Sequence, residues 1–226
     1  MSASKTRTVQ IGWNIARLLL AGFLTPGLTF ADEWKLAAPI PKVAEEVYGI
    51  AAGGKLYVFG GLGLDWKAMG MVMEYDPGLD KWTRKGDMPH GLHHVALAEV
   101  KGRIYMFGGF TLPEKGKPMW VPVNHTWAYD PQADAWRSLA PLPVARGSAN
   151  AIHVNGRIHV IGGEAFDPKS NSWTRHSAMP MPRHGLAGDF IGNHFHLVSG
   201  SVQSGTNAPG LITNTDRHDV LVIDGK

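Results

Sequence analysis

One short pattern occurs four times in the 226-residue chain, and it constrains the fold more than any other feature. Each copy is an apolar run that ends in two small residues, and the copies span residues 55–61, 103–109, 157–163 and 194–200. The first three end in a glycine pair, and the last ends in Ser199 and Gly200. Nearly continuous apolar runs of this length are typical of strands covered on both faces. The repetition therefore predicts an all-β chain built from copies of one sheet.

Two further spacings accompany the runs. An aromatic residue, Asp and Pro follow the first three runs, with the aspartates at Asp76, Asp130 and Asp167. A tryptophan comes six residues after each Asp, and a proline comes seven residues after each tryptophan. Trp34 stands at the same distance from Pro41. The Asp-Pro pairs predict turns, and each tryptophan supplies a large apolar side chain to its sheet.

This combination resembles the kelch repeat, whose signature is a glycine pair, a Tyr-Asp-Pro turn and a tryptophan at a period of about 50 residues. The resemblance covers residues 32–226. It implies a β-propeller in which each blade is a four-stranded antiparallel sheet. We expect the glycine pairs, the aromatic residues Tyr75, Tyr129 and Phe166 and the repeat tryptophans to serve folding and not ligand binding.

The repeats predict about four blades. The last blade ends before any tryptophan, so we expect the N-terminal strand around Trp34 to pair beside the strand at 219–224 and close the ring. In the third blade only Glu164 and Ala165 separate Gly163 from Phe166. Either its second strand bends directly into the third, or the blade is damaged. A true four-blade ring, a degenerate remnant and an incomplete ring that needs a partner all remain open.

Residues 1–31 have the features of a secretory signal peptide. Three basic residues and no acidic residue precede an apolar stretch at 18–24. Thr29 and Ala31 fit the positions of a cleavage site that require small residues. Pro26 interrupts the stretch before it could span a bilayer. We expect cleavage, a propeller at 32–226, no membrane span in the mature chain, and a periplasmic or secreted location.

Charge and cysteine content exclude several classes of function. Beyond residue 31, 22 − 3 = 19 basic residues face 19 acidic ones, so there is no basic footprint for nucleic acid. The chain has no cysteine. This excludes disulfides, thiolate zinc sites, iron–sulfur clusters and a cysteine nucleophile. It also excludes the Tyr–Cys cofactor of galactose-oxidase-like copper enzymes, and no other cofactor is predicted.

Charged residues before the first strand of each blade form the candidate ligand site. In a propeller these positions converge at the channel mouth, and the set is Glu45, Glu46, His93, His94, Arg146, Arg183 and His184. Such a cluster can bind a carboxylate or hydroxyl-rich ligand or carry out acid–base chemistry. Alternatively, the two arginines brace adjacent blades with the acids as partners. No metal site is predicted, because adjacent strand residues such as His93 and His94 point to opposite faces.

Two tryptophans lie outside the repeat register, Trp66 and Trp120, both in long loops. They are candidate loop-face contacts for sugars or protein partners, or caps over a short ring. We expect His153, His159 and His196 to pack within or between blades.

Two functions remain open on the sequence. The first is a binding module that recognises a protein or glycan through its loop face. The alternative is a sugar-active enzyme, because some exported kelch propellers of bacteria are sialic acid mutarotases of the N-acetylneuraminate epimerase type. The chain is similar to them in repeat type and export signal only, and no catalytic residue carries over. The sequence leaves the oligomeric state open.

Overall fold

The structure is a computed structural model that describes residues 35–112, 120–160, 164–183, 186–202 and 214–223, with only the backbone of Phe190. The described residues from Ala37 onwards belong to one compact unit, which contains every strand described below. All regular structure in the described ranges is β. In that part of the chain no helix could cross a membrane.

The first two sheets have four antiparallel strands each. Blade one consists of β1 (Tyr48–Ala52), β2 (Lys55–Phe59), β3 (Val72–Asp76) and β4 (Lys81–Arg84), paired in that order. Blade two consists of β5 (Ala96–Val100), β6 (Arg103–Phe107), β9 (Thr126–Asp130) and β10 (Ala135–Ser138). A small hairpin of β7 (Phe110–Thr111) and β8 (Val121–Pro122) lies between its second and third strands.

The third sheet also has four strands, and the fourth sheet has three within the described residues. Blade three consists of β11 (Ala151–Val154), β12 (Arg157–Val160), β13 (Glu164–Asp167) and β14 (Ser172–Arg175). Blade four consists of β15 (Ala187–Ile191), β16 (His194–Val198) and β17 (His218–Val222). Four repeats therefore form four sheets, as the spacing predicts.

Blade three is intact despite its short connection. The last residue of β12, Val160, pairs directly with the first residue of β13, Glu164. The second strand thus turns into the third with only 161–163 between them, and these three residues lie outside the described part. Of the two alternatives for this blade, the direct bend is confirmed and the damaged blade is wrong.

The repeat aromatics and aspartates hold each blade together, as predicted. In the first three blades the turn aromatic lies opposite the repeat tryptophan: Tyr75 pairs with Trp82, Tyr129 with Trp136 and Phe166 with Trp173. The Asp76 carboxylate accepts hydrogen bonds from the backbone N–H groups of Gly78 and Leu79 at 2.9 and 3.2 Å. Asp130 and Asp167 close their turns in the same way.

The core lies between consecutive sheets. Phe59 of blade one meets Tyr129 of blade two edge to face at 5.9 Å, and Phe107 of blade two meets Phe166 of blade three at 5.8 Å. Ile152 of blade three packs against the buried cluster of blade four. One cavity is lined by residues from the first strand of every sheet, including Gly49, Ala96, Ala151 and Gly188. Sheets stacked face to face around a space lined by their first strands form a β-propeller.

The closure prediction is not tested here. Trp34 lies outside the described residues, and so does the end of the strand expected at 219–224. Pairing of the N-terminal strand in blade four therefore stays a prediction.

Candidate functional site

The site is built from the three-residue segments that precede the first strands, here called lead-in segments (residues 44–46, 92–94 and 146–148). Backbone hydrogen bonds fix each of them. In blade two, His93 exchanges two backbone hydrogen bonds with Phe110, at 3.1 and 2.8 Å. Its neighbour Leu92 accepts the N–H of Gly61 from blade one at 3.1 Å. The lead-in segment of blade two is thus held by both blades.

The glycine pairs permit this close approach. A Cβ on Gly60 would lie 2.2 Å from the carbonyl oxygen of Leu92, and one on Gly108 would lie 2.1 Å from that of Arg146. Both glycines have a positive φ. Only glycine tolerates this conformation without strain and also leaves room for the neighbouring backbone. The pairs serve folding, as predicted, and in doing so they position the site.

The third residue of each described lead-in segment has a left-handed backbone. The φ angles are 52° at Glu46, 54° at His94 and 54° at Ser148. A non-glycine residue in this region costs roughly 1–2 kcal/mol, and such strain is common at functional sites. The turn also breaks the strand alternation, so adjacent side chains no longer point to opposite faces.

Glu46, His93 and His94 therefore meet at one point. The His93 Nδ1 atom lies 2.7 Å from Oε2 of Glu46 and 2.8 Å from Nδ1 of His94. The His94 Nδ1 atom lies 3.2 Å from the same carboxylate oxygen. The expectation that the two imidazoles face apart is wrong, because His94 is not in a strand and its φ is positive.

Burial and charge set the protonation of this cluster. The His93 side chain is only 1% exposed, against 30% for His94 and 37% for Glu46. Burial lowers the pKa of His93, and its hydrogen bond to Glu46 only partly opposes this shift. Burial, with a smaller contribution from the charge of Glu46, raises the pKa of the nearby Tyr48 to about 12. Both groups are therefore neutral near pH 7.

A pocket of about 530 Å³ opens beside the cluster. Its wall combines aromatic rings with polar groups, and the lining includes Tyr48, His93, His94, Phe110, Trp120, Ser148 and Asn150. The ring centroid of Trp120 lies 4.3 Å from that of His93, in an edge-on arrangement. Phe110 lies 5.8 Å from both imidazoles. Rings can cover the apolar face of a ligand while the polar groups fix its orientation.

The two predicted arginines lie elsewhere. Arg146 and Arg183 line a neighbouring pocket of about 400 Å³. Arg146 donates to Glu164 at 2.9 Å within blade three. Arg183 is fully buried and donates to Asp219 at 2.7 Å within blade four. Of the two alternatives, the structure agrees with a bracing role for both arginines. Each arginine, however, braces its own blade and not an adjacent one. Their acidic partners are Glu164 and Asp219, and not Glu45 or Glu46.

Three other predicted residues are also not in the cluster. The Glu45 backbone pairs with Leu62, and Glu45 is exposed. Trp66 is 59% exposed in a tight turn and does not line the pocket. His184 lies outside the described residues. Of the two loop tryptophans, only Trp120 contributes to the site.

Sequence reasoning missed Tyr48, Phe110, Ser148 and Asn150 as pocket residues. Phe110 could have been found from its position directly after the second glycine pair. In the structure, the residue directly after each of the first two glycine pairs pairs with a lead-in segment: Leu62 with Glu45 and Phe110 with His93. Nothing comparable indicates Tyr48 or Asn150, whose place on the wall depends on how the blades stack.

Comparison with known proteins agrees with this architecture. The family model of the kelch motif matches residues 50–89 and 91–143. The chain carries kelch repeats. It is 28% identical to Kelch-like protein 35 of Mus musculus over 59% of this chain and 21% of that protein. It is 30% identical to Beta-scruin of Limulus polyphemus over 58% of this chain and 14% of that protein.

The kelch-repeat chain therefore spans a quarter or less of these two relatives, and they cover little more than half of it. A solved structure, that of YjhT, superposes on 84% of this chain and 64% of its own, with a TM-score of 0.65 and 20% sequence identity. At this identity the likeness establishes the propeller fold alone.

Proposed function

We propose that this kelch propeller is a binding module whose pocket takes a small polar ligand with an apolar face, such as a sugar unit. The observation that carries the proposal is the pocket of about 530 Å³ at which Trp120 and Phe110 meet His93 and His94. Small-molecule sites have volumes of roughly 300–1,000 Å³ and combine apolar walls with a few polar groups.

The shape of the site favours a small ligand, or a small group projecting from a larger one. Kelch repeats typically act as protein-binding modules, and a protein partner that inserts one side chain or one glycan unit fits the same pocket. The contact residues are then those of the pocket wall, and not the exposed Trp66.

A second candidate function has one specific observation in its favour. The carboxylate of Glu46 shares a hydrogen bond of 2.7 Å with the neutral imidazole of His93, which lines the pocket. Opening and reclosing a sugar ring needs a proton donor and a proton acceptor near the anomeric centre. Glu46 and His93 together can supply both groups. A mutarotase-like activity is therefore the second candidate function.

The experiment pairs two tryptophan variants. The probes are N-acetylneuraminate, a neutral hexose and a glycan that contains either sugar. We expect binding of one of them to change the tryptophan fluorescence of the wild-type protein. Trp120→Ala is expected to weaken binding about 3–10-fold, the loss of one aromatic contact. Trp66→Ala is the matched control and is expected to bind normally. Equal affinity in the two variants would move the site away from this pocket.

The same samples distinguish the two candidates. A mutarotation assay followed by proton NMR should show no acceleration for a pure binding module. Acceleration that Glu46→Gln abolishes would establish the enzyme instead.

Export of the chain is also part of the proposal. Residues 1–31 carry the charge, apolar run and small-residue site of a signal peptide. We expect the mature protein to begin at Asp32 and to be found in the periplasm or the medium. Mass spectrometry of the expressed protein tests this, and an intact Met1 on the mature chain would exclude it.

A further inference from the structure

We propose that Glu46, His93 and His94 form a binding site for a divalent first-row transition metal. Their ligating atoms, one carboxylate oxygen and two imidazole nitrogens, all lie within 4.8 Å of one another. In the described part of the chain this is the one group of three or more such residues that is so close. The site stands independently of the proposed ligand, because the metal itself is the probe.

The geometry suits a small cation. Zinc binds imidazole nitrogen and carboxylate oxygen at about 2.0–2.2 Å, which in tetrahedral coordination separates neighbouring ligand atoms by roughly 3.3 Å. The three separations here are 2.7, 2.8 and 3.2 Å. Each pair therefore has to open by about 0.6 Å at most, a movement within the reach of the two partly exposed side chains, Glu46 and His94.

The close approach of the three side chains also favours a cation. The two Nδ1 atoms lie 2.8 Å apart, and the Glu46 Oε2 atom lies 2.7 Å from one and 3.2 Å from the other. Imidazole nitrogen and carboxylate oxygen are both electron-pair donors to zinc, so one cation between them can bind all three.

The donor set selects the class of metal. Two imidazoles and one carboxylate suit zinc and its first-row neighbours, whereas calcium and magnesium prefer oxygen ligands. Three protein ligands leave at least one position open. Because both imidazoles line the pocket, the metal lies at the pocket wall, where an oxygen of a bound ligand or water can complete the coordination.

One feature limits the affinity. The Nε2 atom of His93 is buried and has no hydrogen-bond partner among the described residues. When the metal binds Nδ1, the proton moves to Nε2, which has no acceptor among the described residues. Loss of such an outer partner typically weakens metal binding by about 10–100-fold, so we expect binding weaker than at a fully supported site.

A second pair of histidines provides the control. On blade four, Nδ1 of His196 lies 2.9 Å from Nε2 of His218, in an exposed position. A surface pair of this kind can capture metal weakly with two ligands. His218→Gln removes it and leaves the proposed site unchanged.

The test uses the untagged mature chain, stripped of metal, with calorimetric titration of Zn²⁺ and visible absorption of Co²⁺. We expect one Zn²⁺ per chain at the tightest site. Loss of an outer-shell partner alone weakens metal binding by about 10–100-fold, so we expect loss of a direct ligand in His94→Asn to weaken it by at least about 100-fold. Glu46→Gln keeps one ligating oxygen, and we expect it to weaken binding by about 10-fold. Asparagine tolerates the left-handed backbone of position 94, so the variant should fold. Circular dichroism checks this.

The outcomes separate cleanly. Unchanged affinity in His218→Gln together with loss in His94→Asn supports the site. Two results would overturn it: no stoichiometric binding to the wild-type chain, or binding that persists in folded His94→Asn and disappears in His218→Gln. Neither depends on whether a sugar or a protein occupies the pocket.

Discussion

Blades three and four begin alike and end differently. In each, the second residue of the second strand pairs with an apolar residue of the third: Ile158 with Phe166 in blade three, and Phe195 with Leu221 in blade four. In blade three Trp173 of the fourth strand covers Phe166, and its Nε1 donates to the carbonyl of Ala140 at 2.9 Å. In blade four the corresponding place is a pocket of about 180 Å³, and the described residues that line it include no tryptophan.

Blade four relies on a polar contact in the same region. The Arg183 guanidinium is fully buried and contacts Asp219 at 2.7 Å and the backbone carbonyls of Met181 and Leu197 at 3.0 and 3.1 Å. Arg217 reaches the same carboxylate at 2.7 Å. The comparison teaches that three strands of this repeat keep their register with no tryptophan among the described residues of their blade. Within the described residues, an apolar pocket lies where Trp173 packs in blade three.

The largest expected effect tests what fills that pocket. Trp173→Ala should lower the free energy of unfolding by about 3–5 kcal/mol, because it removes a large packed side chain. If the strand around Trp34 completes blade four, Trp34→Ala will cost about as much. Urea unfolding followed by circular dichroism gives both values.

Trp66→Ala serves as the control for this pair, with an expected change within about 0.5 kcal/mol, since Trp66 is exposed. An unchanged stability of Trp34→Ala would show that blade four is not closed this way. Its pocket and its third strand would then be free for a partner.

The next effect concerns the buried ion pair of blade four. Asp219→Ala leaves the buried Arg183 side chain without its carboxylate, so we expect a clear loss of stability. Lys67→Ala, which breaks the exposed pair with Asp65, should change the stability far less. Similar midpoints of urea unfolding for the two variants would refute this difference.

The last effect, which is absent near pH 7, is a pH dependence in blade three. Burial, and then the charges of His176, Arg157 and His153, lower the pKa of His159 to about 4. The unfolded chain, with an ordinary pKa of about 6.5, binds this proton first. The contribution of neutral His159 to the free energy of unfolding is therefore fully present above about pH 6.5. It falls as the pH drops towards 4, by about 1.4 kcal/mol for each pH unit within that window.

The measurement compares urea unfolding from pH 7 to pH 4 in His159→Gln and in His153→Gln, whose histidine is exposed. We expect a shallower dependence in His159→Gln and an unaltered one in His153→Gln. Parallel curves for wild type and His159→Gln would show that another group sets the slope.

Much of the fold could be predicted because its signals are local. The glycine pairs, the Asp-Pro turns and the repeat tryptophans each act within one blade or against the next, so their spacing indicates both the sheets and their number. The state of blade three could not be predicted. Whether a strand can turn into its neighbour over 161–163 depends on the register of Val160 and Glu164, which spacing does not determine.

The candidate site was predicted in part. Glu46, His93, His94 and Trp120 were candidates. The structure brings Glu46 against the two histidines, and the histidines and Trp120 line one pocket. Arg146 and Arg183 were candidates of the same weight, but they are held by Glu164 and Asp219. Their partners are far away in sequence, and no pattern in the chain connects them.

The sequence by itself determined a kelch-repeat chain with four sheets, because strand period, turn chemistry and tryptophan spacing are local and repeat. Only the tertiary structure decided which charged residues meet. The left-handed turn at His94, held between the bridge to Phe110 and the hydrogen bond from Ser148, directs its imidazole towards His93 and Glu46. Which side chains this recurring turn brings together depends on how the blades stack. That is a long-range effect, and it cannot be predicted from the order of residues within one repeat.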